Sequence, residues 1–173
     1  MATVKVLQVV GFKNSGKTTL VEHWVRLLGN QEQAVAVLKH HGHEKGLALP
    51  DETTDSMRFT KAGAISSLAT DGAMLQMHYQ KLKWEIEDLI DMAKQSEPDV
   101  LLIEGFKNAT YPKVVIVRTM EDWDTLQQLE NIVCVIVHSN VQLENVRAIS
   151  LNRRDLQDEW LFYWLGGESD EVI

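Results

Sequence analysis

The sequence holds a single cysteine, Cys134. That excludes an internal disulfide and any cysteine-rich metal site, and it suits a reducing compartment. Basic residues are in deficit: 17 Lys and Arg against 25 Asp and Glu leave a formal net charge of -8. A general nucleic-acid binder needs a basic face to neutralise phosphates, so no nucleic-acid partner is expected. No apolar run reaches the ~20 residues of a membrane-spanning helix. The apolar start MATVKVLQVV is followed by no signal-peptide cleavage pattern. No membrane partner is therefore expected, and the expected location is cytoplasmic. Repeats, low-complexity tracts and linkers are missing as well. What is present is an ordinary globular composition, 45% hydrophobic over 173 residues. Residues 1–173 are read as a single domain able to bury its own core.

Apolar runs alternate with helical stripes. Val4–Val10 is a valine-rich strand of the kind buried on both faces. Lys17 to Leu28 reads as a helix with Leu20, Trp24, Leu27 and Leu28 on one stripe, ended by Gly29-Asn30. Ala34–Leu38 is a second strand, and the His-rich stretch from His40 to Thr53 is a loop. A short helix over Asp55–Ala62 precedes two strands, Ile65–Thr70 and Ala73–Tyr79, joined by the hairpin signal Asp71-Gly72. Leu82, Ile86, Leu89, Ile90 and Ala93 form a helix stripe that stops before Pro98. Strands follow at Val100–Ile103, Val114–Val117 and Ile132–Val137, with helices over Trp123–Leu129 and Asp155–Leu165. This alternation predicts an α/β fold: a P-loop NTPase-like, mostly parallel sheet with helices on both faces, plus a β-hairpin.

Between the first strand and the first helix stands Gly11-Phe12-Lys13-Asn14-Ser15-Gly16-Lys17-Thr18, a complete G-x-x-x-x-G-K-[ST] match. Glycines allow the tight turn that aims successive N–H groups at a phosphate. The helix that follows adds its unpaired N-terminal donors and positive dipole end. Lys17 is placed to reach the β- and γ-phosphates, and the Thr18 hydroxyl to ligate magnesium. A chance match somewhere in such a chain has a probability on the order of 1%. Lys13, Asn14 and Ser15 supply the body of the loop.

Such a loop works with an acidic residue at the end of a neighbouring strand. Glu104 closes Val100–Ile103 and precedes Gly105, so it belongs on the carboxyl edge, where ligands of parallel sheets bind. It is read as a magnesium-holding residue. Asp99, at the other end of that strand, is read as structural, and Lys107 as either a phosphate neutraliser or a solvated lysine. Lys39-His40-His41-Gly42-His43-Glu44 also falls on the carboxyl edge, where it suits an anionic ligand better than structural zinc. Asp55 and Arg58 could bring a carboxylate to the metal and a cation to a phosphate; the bland alternative is a surface ion pair. Trp160, Leu161 and Trp164 read as core or subunit-interface packing, and Cys134 as an inert buried thiol.

The loop GFKNSGKTT, then Lys39-His40-His41-x-His43, Asp55-Ser56-x-Arg58 to Lys61-Ala62-Gly63-Ala64, and Ile103-Glu104-Gly105-Phe106-Lys107 occur in that order. Together they resemble the molybdopterin-guanine dinucleotide biosynthesis protein B family, MobB, over about residues 4–118. The resemblance implies a homodimeric protein that binds GTP with Mg2+ and hydrolyses it slowly if at all. It implies an adapter role toward a MobA-like guanylyltransferase, which joins GMP to molybdopterin; molybdopterin itself is a possible ligand. It further implies that Gly11, Asn14, Gly16, Lys17, Thr18 and Thr19 bind phosphates and magnesium. Asp55 and Glu104 would complete the metal environment, with His40, His41 and His43 beside it. The Asn-Lys-x-Asp motif by which GTPases read guanine is not present. Ser139-Asn140 stands where a base-binding loop could be.

Catalysis, if any, would be hydrolysis with Lys17 and Glu104 as its residues. No glutamine to orient water and no arginine finger is assignable, which predicts a slow rate. The alternative reading is a small-molecule kinase on the same fold. It is disfavoured because few arginines are available for a closing lid.

Overall fold

The computed structural model describes residues 4–41, 46–47, 51 and 53–167. They form two compact units, one built from the described residues within 1–40 and 86–173, the other from those within 41–85.

The first unit is a six-stranded sheet: β1 (Lys5–Gly11), β2 (Val35–Lys39), β5 (Val100–Glu104), β6 (Lys113–Val117), β7 (Ile132–Val137) and β8 (Ala148–Ser150). Its order is β2-β5-β1-β6-β7-β8 and every neighbouring pair is parallel. The helices are α1 (Lys17–Gly29), α3 (Ile86–Lys94), α4 (Met120–Leu126) and α5 (Arg154–Gly166). β5 and β6 are buried along their whole length, as expected for central strands covered on both sides. Alternate residues of the strands face different helices. Leu7, Val9, Leu102, Ile116 and Ile136 pack with Leu20 and Trp24 of α1 and Trp160, Leu161 and Trp164 of α5. On the opposite face Val10, Val115 and Val135 pack with Leu126 of α4. Leu101 and Ile103 pack there with Ile90 of α3. The sheet is therefore parallel with helices on both faces, as predicted.

Trp160 and Trp164 belong to this core, with Trp160 stacked against Trp24 at 6.2 Å between ring centroids. Cys134 is buried there too, and burial pushes its thiol up to about 12. Asp99 has the structural role expected. Its carboxylate accepts from the Ala34 N–H at 2.8 Å, and its own N–H donates to the Ala34 carbonyl at 2.8 Å, tying the start of β2 to β5.

α1 ends at Gly29-Asn30 as read, although Asn30 stays helical and the left-handed residue comes later, at Glu32 with φ 59. Other boundaries need correction. Leu82 lies outside α3 and is fully exposed, because the helix begins only at Ile86. α4 starts three residues before Trp123, at Met120, where the Thr119 side chain caps it by accepting from the Asp122 N–H at 3.2 Å. The edge strand β8 was not anticipated; three half-buried residues carry too little pattern to read.

The second unit holds α2 (Asp55–Lys61) and the antiparallel hairpin β3 (Ser66–Thr70) and β4 (Leu75–Tyr79). The turn forms where Asp71-Gly72 predicted it. Gly72 takes φ 97, and the Asp71 carboxylate accepts from the N–H groups of Ala73 and Met74 at 2.9 and 2.8 Å. One face of the hairpin is turned inward at Ser67, and α2 buries Met57 and Thr60. The other face, with Leu68, Leu75, Met77 and Tyr79, is exposed.

Candidate functional site

β1 runs into the loop Gly11–Gly16 and α1 leaves it at Lys17, so the loop lies at the carboxyl edge of the sheet. Space at its base demands glycine: a Cβ on Gly11 would stand 2.6 Å from Ser15 Oγ and 2.8 Å from the Ile116 carbonyl. Asn14 and Gly16 take positive φ, 60 and 102, which turn the backbone inward before the helix starts. Ser15 is buried and its hydroxyl has no hydrogen-bond partner among the described residues. Thr18 and Thr19 lie exposed in the first turn of α1, whose first N–H groups have no acceptor within the helix. Lys17 donates to the Phe12 carbonyl at 2.8 Å, holding its ammonium across the loop. Burial pulls the Lys17 pKa below its ordinary 10.5; the Glu104 carboxylate offsets part of this, while Lys107, Lys39 and Arg118 push further down.

Glu104 arrives where the sheet rule places it. β5 neighbours β1, with Val9 opposite Glu104. The carboxylate is buried and accepts from the Thr18 hydroxyl at 3.0 and 3.1 Å. The Lys39 ammonium donates to both of its oxygens at 2.9 Å. Lys39 is opposite Glu104 in the β2–β5 ladder, and the His40 N–H donates to the Glu104 carbonyl at 2.9 Å. Register thus sets the contact. The His40 ring packs on Phe106 at 4.5 Å, and a Cβ on Gly105 would crowd the His40 Cβ at 3.1 Å.

Three groups were not singled out by sequence reasoning. Gln8, buried in β1, donates its side-chain amide to the carbonyls of Gly105 and Phe106, both at 2.8 Å, and so holds the turn that follows Glu104. Arg118, directly after β6, donates to the Lys13 carbonyl at 2.6 Å. Its other nitrogens bind Asp122, whose carboxyl they hold below its ordinary 3.8. The ring nitrogen Nε2 of His138, after β7, lies 3.1 Å from the Ser15 carbonyl. Position was the available signal: Arg118 and His138 both follow strands directly at the ligand-binding edge. Lys107 resolves toward the loop as well. Its ammonium sits 3.7 Å above the Phe12 ring, and burial lowers its pKa.

Lys13, Asn14, Ser15, Lys17, Thr18, Glu104, Lys39 and Lys107 are accordingly assembled in the first unit. Asp55 lies in the second, exposed and paired with Arg58 at 3.1 Å. His43, like Gly42 and Glu44, lies outside the described residues.

A parallel sheet with this loop between β1 and α1, and an acid at the end of the adjacent strand, defines a P-loop NTPase-like α/β protein. The family model for molybdopterin guanine dinucleotide synthesis protein B matches residues 6–138, and the chain belongs to this family, MobB. It is 35% identical over 166 residues to a probable molybdopterin-guanine dinucleotide biosynthesis adapter protein of Bacillus subtilis, covering 95% of each chain. The structure is similar to that of a MobB protein homolog from Bacillus stearothermophilus, with TM-score 0.76 and 32% identity over 94% of this chain and 98% of that one. A looser likeness to hydrogenase maturation factor HypB from Archaeoglobus fulgidus, TM-score 0.50 at 16% identity over 93% of this chain and 88% of that one, shows the fold alone. No helix among the described residues is long and apolar enough to cross a membrane.

Proposed function

We propose that the carboxyl edge of the first unit binds GTP, and that the protein serves as an adapter in molybdopterin-guanine dinucleotide biosynthesis. The carrying observation is the Gly11–Thr18 loop seated against Glu104 in a chain of this family. In this reading Gly11, Lys13, Asn14, Ser15, Gly16, Lys17, Thr18 and Thr19 receive the phosphates. Lys17 exchanges the Phe12 carbonyl for a phosphate oxygen, a stronger acceptor because it is charged. Guanine preference rests on the family.

The donor set fits a magnesium ion: Thr18 offers a hydroxyl and Glu104 a buried carboxylate within 3.1 Å of it, both hard oxygen ligands. Asp55 is the further carboxylate that the family reading assigns to the metal. Magnesium, when bound, neutralises phosphate charge. The chain's own residues hold and orient the nucleotide: Lys17 stabilises charge on the terminal phosphates, and Arg118 fixes the loop through Lys13. Arg118 is committed to Lys13 and Asp122, so it braces the loop and does not act as a finger on the nucleotide. Hydrolysis is therefore slow, with Lys17 and Glu104 as its residues.

The partner is a MobA-like guanylyltransferase, whose attachment of GMP to molybdopterin the adapter assists in the cytoplasm, with molybdopterin as a possible second ligand. The exposed apolar face of the hairpin supports pairing with a second copy of the chain. Thermal shifts with GTP, ATP and molybdopterin, each with Mg2+, test the reading, since a ligand that binds only the folded state raises stability. GTP is expected to give the largest shift, and Lys17→Ala to abolish it. Equal shifts for ATP and GTP would remove the guanine preference. A full GTP shift in Lys17→Ala, or rapid phosphoryl transfer to a small acceptor, would overturn the assignment.

A further inference from the structure

The three oxygens that make the cation site already hold a cation. Lys39 Nζ lies 2.9 Å from both carboxylate oxygens of Glu104 and 3.2 Å from Thr18 Oγ1. Backbone register imposes this contact. Lys39 and Glu104 are neighbours in the parallel β2–β5 ladder, and the His40-to-Glu104 bond at 2.9 Å continues that pairing past the strand end. The two partners differ in freedom: the Lys39 side chain is 51% exposed, whereas that of Glu104 is 9% exposed. A buried carboxylate needs a counter-charge, and the flexible, half-exposed lysine can supply or withdraw it.

A magnesium ion approaches oxygen to ~2.0–2.1 Å and uses the same lone pairs that accept the ammonium's hydrogen bonds. Both cations at one carboxylate and one hydroxyl would also repel one another. The geometry points to Lys39 as the residue that sets divalent-cation affinity at this site. Its ammonium is a tethered competitor that neutralises Glu104 and engages the Thr18 hydroxyl without metal, and a divalent cation binds only by displacing it. The inference rests on the nucleotide-site reading above. It goes further by making Lys39 a positioning residue whose departure accompanies metal entry. In the absence of divalent cation Lys39 also offsets the repulsion between Glu104 and the phosphates, so nucleotide binding by the wild type depends only weakly on Mg2+.

The test compares the full chain with Lys39→Met, which keeps the apolar stem, and Lys39→Arg, which keeps the charge. Affinity for a fluorescent GTP analogue is measured in EDTA and across a Mg2+ series. Lys39→Met is expected to bind about tenfold more weakly in EDTA, and to need about tenfold less Mg2+ for half-maximal recovery. Lys39→Arg is expected to follow the wild type. An unchanged Mg2+ midpoint in Lys39→Met overturns the inference, because a merely structural ion pair would alter stability and leave that midpoint alone. If Lys39→Met fails to fold, Lys39→Gln is held to the same criterion. Should the wild type bind no nucleotide at all, the nucleotide reading fails. Mn2+ titration of the nucleotide-free protein, followed by the paramagnetic signal of free Mn2+, then decides Lys39 separately. Tighter Mn2+ binding by Lys39→Met upholds the inference; equal or absent binding overturns it.

Discussion

In the first unit, β5 and β6 are buried end to end and three helix-packed clusters fill both faces of the sheet. In the second, the hairpin buries Ser67 on one face and leaves Leu68, Leu75, Met77 and Tyr79 exposed on the other. An isolated two-stranded ribbon is marginal in water, and an apolar face left open usually marks a surface meant for contact. Rigidity separates the two proposed roles. The rigid sheet edge can hold donors to within tenths of an ångström, which phosphate and metal binding require. The hairpin offers area and not geometry, which suits association. Side chains within the first unit are therefore expected to be costly to change, and those on the outer hairpin face cheap.

Trp24→Ala should sharpen the contrast most. Trp24 is fully buried between α1, the sheet and α5, so its loss should cost about 3–5 kcal/mol in urea unfolding. A cost under ~1 kcal/mol would mean that this core is not close-packed. Gly11→Ala comes next. The added methyl meets Ser15 Oγ and the Ile116 carbonyl at 2.6 and 2.8 Å, for an expected cost of about 1–3 kcal/mol, with nucleotide affinity falling as the loop shifts. Unchanged stability and affinity together would show that the loop has slack.

The effect of pH is smaller but has a definite sign. The Lys17 pKa is lowered in the free protein by burial, and a bound anion raises it again. Phosphate affinity is full below the lowered pKa and is lost as pH rises through it, beginning below 10.5. Over the same window Lys17 contributes the opposite trend to the ligand-free fold. The unfolded chain binds the extra proton, so this group adds stability as pH rises toward 10.5. Calorimetric titrations with inorganic phosphate at several pH values check the first, and Lys17→Arg should flatten the fall. Affinity that rises with pH would contradict the placement of Lys17. Leu68→Ser is expected to change least. In dilute protein its cost should stay within ~0.5 kcal/mol, while the proposed pairing with a second copy predicts that sedimentation at higher concentration shows weaker association than for the wild type. A large loss of stability in the dilute protein would erase the contrast between the two units.

Much of the first unit was legible because its central strands β5 and β6 are buried end to end and read as unbroken apolar runs, and because the phosphate loop is contiguous. Gly11 through Thr18 specify their turn through glycine placement and local donors alone. Glu104 was legible one step later, from the rule that ligands gather at the carboxyl ends of parallel strands. The misses have local causes. β8 is only three residues long, Thr119 caps α4 ahead of its apolar stripe, and Leu82 mimics a helical position outside the helix.

The alternation of strands and helices, the phosphate loop and the family were all readable from the chain alone, since each rests on short contiguous patterns, the family on four such segments taken in order. Long-range packing was needed to show that Lys39, from another strand, completes the Thr18–Glu104 pair; that Arg118 braces the loop 105 residues away through Lys13; and that Gln8 anchors the turn after Glu104. Those contacts follow from strand order and register. β2, β5, β1 and β6 lie side by side only after the chain has crossed over the sheet, and no local pattern encodes which strand becomes whose neighbour.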